Sequence, residues 1–123
     1  MAGEVTLSSD ALLAITDDVS ALMRRFYGKG PARSRGFVNG NVLFLVLEDV
    51  LTEFEVTFLA KGDAAIVRQI RTRYQELTTE EMVALVERHS GYRVADYMSQ
   101  ILTGVGMLIE IFVLAASAPG DVD

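Results

Sequence analysis

Residues 26–55, FYGKGPARSRGFVNGNVLFLVLEDVLTEFE, decide the fold. They hold a helix end at Gly28, a basic connector over Lys29–Arg35, a hairpin, and the capped start of another helix. Gly36–Val38 reads as a strand, Asn39-Gly40 as a type I′ turn, and Asn41–Leu47 as the returning strand. Val42–Leu47 is apolar without alternation. Such a strand is either covered on both faces or gives one face to an oligomer. The chain offers few helices to cover two faces, so the oligomer is the expectation. Thr52 and Glu55 then have capping-box spacing, the hydroxyl serving one backbone N–H and the carboxylate another.

Toward the N-terminus, Leu12, Ile15, Val19, Leu22, Met23 and Phe26 recur at three- and four-residue steps. That is one face of an amphipathic helix, capped at Ser9 or Asp10 and closed at Gly28. Toward the C-terminus, Ile66, Val67, Ile70, Tyr74 and Leu77 form a helical stripe. After a phase slip near Thr78-Thr79 it continues through Met82, Leu85, Val86 and His89 to Gly91. That slip, after a strain at Gly62 and a possible new cap at Asp63, leaves open one bent helix or two over residues 52–90. Arg93–Leu102 and Leu108–Ala115 read as two further strands around a Gly104-Val105-Gly106 link. The order is α-ββ-α-ββ. It predicts an α+β two-layer sandwich, with a four-stranded antiparallel sheet packed against helices. One domain is expected over residues 9–116, with disordered tails at 1–8 and 117–123.

Composition narrows the function classes. With no cysteine among 123 residues, disulfides, thiolate metal sites and a cysteine nucleophile are excluded. A single histidine, His89, leaves no triad or metal set, and near a helix end it complements the helix dipole. Catalytic residues, metal ligands and cofactors are therefore all expected to be none, and the protein is read as a non-enzyme. A net charge of −6 argues against nucleic-acid binding. No run reaches the length of a membrane span, and Glu110 interrupts the longest apolar one. A hydrophobic fraction of 50% is more than a lone small domain hides, which points to a homodimer or a partner surface.

The charge is unevenly spread. Arg24, Arg25, Lys29, Arg33 and Arg35 are five of the eleven basic residues, and no acid occurs from Val19 through Leu47. With Gly28 and Gly30 they form the candidate site, a patch for an acidic partner or an anion. Gly28-Lys29-Gly30-Pro31 lacks the Ser/Thr and the spaced glycine of a phosphate loop. Glu48, Asp49, Glu53 and Glu55 read as cap and dipole partners rather than a cation site. Arg68, Arg71 and Arg73 read as a solvated helix face. Tyr74, Tyr97 and the methionines read as packing residues.

The string RRFYGKGPARSRGFVNGNVLFLVLEDVLTEFE, with Val86–Val94 and Glu110–Leu114 at their distances, resembles a family of small bacterial proteins. That family is labelled the MpsC-like component of a sodium-translocating, membrane-potential-generating system. The resemblance covers residues 10–115. It implies a cytoplasmic accessory protein, peripheral at the inner face of the membrane, that contacts a membrane protein of ion or inorganic-carbon transport. It brings no catalytic residues. The alternative reading is a sensor holding a small anion or nucleotide at the Gly28–Arg35 turn.

Overall fold

The computed structural model describes residues 3–115. Among these it has three helices and four strands: α1 (Ser9–Tyr27), β1 (Arg33–Asn39), β2 (Val42–Glu48), α2 (Glu53–Ala60), α3 (Ala64–Ser90), β3 (Val94–Leu102) and β4 (Met107–Leu114). The strands form one antiparallel sheet in the order β1-β2-β4-β3. The fold is α+β, helices on a sheet, as the apolar spacing predicts.

Local chemistry sets the element ends. The Ser8 hydroxyl, one residue before the expected caps, accepts from Ala11 N at 3.0 Å, and Gly28 closes α1 in the left-handed conformation. The hairpin turn falls one residue later than expected. Asn39 pairs with Val42, so the loop is Gly40-Asn41, and Gly40 at φ 64° supplies its positive φ. With Gly first and Asn41 at negative φ, this has the glycine pattern of a type II′ turn, not I′. The turn is pinned from both sides: Val5 N donates to Gly40 O at 3.0 Å, and Asn41 Nδ2 donates to Leu114 O at 3.1 Å. Val5 is buried in the core, so part of the segment expected as a loose tail is held to the hairpin. The other expected tail, 117–123, lies outside the described residues, as do residues 1–2 and 116.

Residues 52–90 form two helices, broken where Gly62 takes φ 82° and Asp63 caps α3 through Ile66 N. The apparent slip near Thr78-Thr79 breaks nothing. The buried positions of α3 include Val67, Arg71, Thr78, Met82 and Leu85, a continuous helical line once its polar members are counted. Leu77, placed on the stripe by its hydrophobicity, is 60% exposed.

The helices lie on one face of the sheet, α1 against β1 and α3 against β3, with α2 on α3. Leu43, Leu45, Leu47, Leu108, Phe112 and Leu114 point into that layer. Gly36 lets α1 sit close: a Cβ there would lie 2.9 Å from Leu45 Cδ2 and 3.6 Å from Leu12 Cδ2. The opposite face carries Phe37 on β1, Phe44 on β2, Ile109, Ile111 and Val113 on β4, and Met98 and Leu102 on β3. No described element covers it. The edge positions are open, with Phe37 48% and Met98 51% exposed.

Candidate functional site

The basic segment is largely answered by acids from elsewhere in the chain. Arg25 pairs with Glu81 on α3, Lys29 with Asp49 at 3.2 Å, and Arg33 with Glu48 at 3.1 Å. Lys29 also donates to Leu51 O at 3.0 Å. The Arg24 side chain lies against Gly30, where a Cβ would meet its Cγ at 2.8 Å. Arg35 is exposed on the outer face of β1. Gly28 is spent on the helix end. The fold thus distributes Arg24, Arg25, Lys29, Arg33 and Arg35 over a helix flank, a loop and a sheet face. Exposed pairs of this kind contribute little stability, roughly 0–1 kcal/mol each. Glu48 and Asp49 are those partners, and Asp49 adopts φ 55°, the one non-glycine residue described there. Its turn sends Val50 N to Gly106 O at 3.1 Å and leaves Val50 O facing α3.

The densest polar chemistry is instead internal, where α1, α2, α3 and the sheet meet. Glu55 is the N3 residue of the α2 capping box, its carboxylate accepting from Thr52 N at 2.9 Å and Thr52 Oγ1 at 3.0 Å. Arg71 reaches it with a two-pronged contact, Nε to Oε2 at 2.7 Å and Nη2 to Oε1 at 2.7 Å. Nη2 also donates to Val50 O at 2.8 Å, and the guanidinium carbon lies 4.0 Å from the Tyr27 ring centroid. Arg71 is 4% exposed and Glu55 is fully buried. This corrects the expectation that Arg71 belongs to a solvated face. Burial pushes the Glu55 carboxyl up, but the Arg71 and Thr52 donors outweigh it and hold it below the usual carboxylate range.

Glu110 is the second buried acid, 2% exposed, on the inner face of β4 in register with Ser99 and Leu45. Its Oε1 accepts from Ser99 Oγ at 2.9 Å. Burial raises its pKa to about 7, against the opposing pull of Tyr97, Ser99 and Arg71. The same burial pushes the Tyr27 phenol up to about 12 and the Tyr97 phenol well above its ordinary value. Tyr97 stacks on Phe112 at 4.6 Å between centroids, and Tyr27 packs against Tyr74 at 4.7 Å.

Arg71 and Glu110 line one cavity of about 90 Å³, with Tyr27, Thr78, Tyr97 and Ser99 among its other walls. Arg71 Nη1 and Glu110 Oε2 are buried there without a hydrogen-bond partner in the protein. A second, open groove of about 950 Å³ passes Lys29, Arg33, Leu51, Val56 and Val105. Among the described residues, no His, Asp and Glu side chains group so as to hold a metal ion. His89 Nε2 lies 2.7 Å from Asp18 Oδ2, which Arg88 also contacts at 3.2 Å, tying α3 to α1. The contact to His89, with that to Arg88, holds the Asp18 carboxyl low against a smaller opposing effect of burial.

The sequence carried a signal for both buried charges. Arg71 sits four residues after Val67 on the α3 stripe, and Glu110 takes an inward position between Leu108 and Phe112. A charged residue on an apolar register is either misplaced or paired, and these are internal.

Among the described residues no helix is long and apolar enough to cross a membrane. No curated protein and no solved structure matches the chain. The family model described as "Na+-translocating membrane potential-generating system (MpsC)" matches residues 12–116, nearly all of the described fold, and the chain belongs to that family.

Proposed function

We propose that the protein is a non-enzymatic, cytoplasmic accessory component of a Na+-translocating, membrane-potential-generating system. It acts at the inner face of the membrane through protein–protein contacts, as a homodimer. The observation that carries this reading is the apolar outer face of the sheet, with Phe37, Phe44, Met98, Ile109 and Ile111 on it and no described element over it. Contiguous apolar surface of this extent marks an interaction site.

A second copy suits that face. Phe37 on β1 and Met98 on β3, the two exposed apolar edge residues, lie at the same level of the sheet. A twofold axis parallel to the strands sets β1 of one copy over β3 of the other, Phe37 toward Met98 and Arg35 toward Gln100, with no like charges opposed. Four strands at ordinary spacing present about 450 Å² in projection, so the whole face is needed to approach the ~800 Å² of accessible surface per partner of a stable complex.

The functional test is a Na+-dependent membrane potential, read with a potential-sensitive dye in cells. Deletion of the protein is expected to lower it, the wild type to restore it, and a Phe37→Lys/Met98→Lys variant to fail despite normal abundance. An unchanged potential after deletion would remove the accessory role. Full restoration by the variant would remove the sheet face from it.

A further inference from the structure

The cavity between α3 and the sheet is unusual in pairing a buried cation and a buried acid that do not satisfy each other. Arg71 Nη1 and Glu110 Oε2 both line it, and neither has a protein partner. Leaving such groups unmet is costly, the more so when they are charged. The space of about 90 Å³ exceeds what one bridging water requires, roughly 10–15 Å³ by a comparable measure. It has room for several waters or a molecule of a few non-hydrogen atoms.

The polar walls define which molecule. Arg71 Nη1 can only donate, so the occupant must present an acceptor. Glu110 Oε1 already takes the Ser99 hydroxyl, leaving Oε2 for the occupant. Tyr97 lies beside the acid on the neighbouring strand β3 and acts on it directly, while Tyr27 from α1 and Arg68 and Arg71 from α3 complete the cavity walls, with Glu55 of α2 beyond Arg71. Two arginines against the single carboxylate of Glu55 leave the site positive when Glu110 carries its proton. In that form Glu110 Oε2 is a donor as well. Two donors in a positive chamber suit a small oxyanion with two acceptor atoms.

We propose that this cavity binds a small monocarboxylate between its two unpartnered atoms, one oxygen at Arg71 Nη1 and the other at Glu110 Oε2, with exposed Arg68 on the cavity wall. No bond is broken; a proton remains shared between two carboxyl groups, and binding takes one up wherever Glu110 is ionised. This site is separate from the sheet face, so its test is independent of dimerisation.

The direct experiment is a ¹H–¹⁵N NMR titration of the full chain with formate, acetate and propionate, at ionic strength fixed with chloride. The expected result is a set of shifts confined to Thr78, Tyr97, Ser99 and Glu110. With Glu110 titrating at about 7, acetate affinity should fall about tenfold from pH 6 to pH 8, following the protonated fraction. Glu110→Gln keeps a donor at every pH, so its affinity should be the same at both, and Arg68→Ala should weaken binding at each. Shifts that are absent at pH 6, or that map to the Gly28–Arg35 turn, overturn the proposal. Equal loss at pH 8 in the wild type and in Glu110→Gln overturns it too. Because both spectra also report folding, a variant that merely fails to fold is recognised at once.

Discussion

Replacing Arg71 by methionine is expected to lower the free energy of unfolding by about 3–5 kcal/mol. The change leaves Glu55, fully buried, with only the Thr52 donors, and leaves Val50 O without its partner. It also removes the cation from the Tyr27 ring. Three elements meet through that one guanidinium: the start of α2, the turn after β2, and the end of α1. A loss of this size is a large part of the roughly 5–15 kcal/mol that holds a domain of ordinary stability. The double variant Arg71→Met/Glu55→Gln should recover much of it, since a buried pair removed whole costs far less than one partner left alone. Urea denaturation of the two single variants and the double closes the cycle. A cost below 1 kcal/mol for Arg71→Met would mean that water reaches the pair.

Glu110 should make the protein less stable as the pH rises toward neutrality. In the unfolded chain the carboxyl titrates at its ordinary value of 4.5, and in the fold at about 7. Below pH 4.5 both states hold the proton, and the contribution is fully present. Between pH 4.5 and 7 the unfolded chain releases it while the folded chain does not, so stability falls until the folded group also titrates. The loss across that window is about 3 kcal/mol. Glu55 and Asp18, held low, act in the opposite sense, and their contributions disappear in more acidic solution as pH falls through their folded values. Glu110→Gln removes the neutral-side loss. Denaturation at pH 5, 6, 7 and 8 should therefore show wild type and variant diverging with rising pH, the variant the more stable at pH 8. Parallel curves would mean that Glu110 is solvated.

These two buried charges also show where the sequence was legible and where it was not. The Gly28 stop, the Thr52/Glu55 box and the Asn-Gly hairpin are local signals. Each depends on a few adjacent residues, and each appears in the fold within a residue of its expected place. The hairpin slipped by one because the Asn-Gly pattern admits a neighbouring register, and Val5 and Leu114 hold the register that forms. The arrangement of α3 was hidden by counting only apolar residues, which turned a continuous stripe through Arg71 and Thr78 into an apparent phase slip. The basic segment looked unopposed because its acids are remote in sequence, Glu81 for Arg25 and Asp49 for Lys29. Ion pairing across such distances is a property of the fold. The unalternating apolar strand has two apolar faces, as its composition implies, one inside with Leu43, Leu45 and Leu47, the other outside with Phe44.

Association through that outer face is read by sedimentation velocity of the full chain over 1–100 µM. The wild type is expected to be a dimer and Phe37→Lys/Met98→Lys a monomer with unchanged circular dichroism, its association weakened at least tenfold. A wild type that is monomeric at every concentration, or a variant that associates as tightly as the wild type, would contradict it.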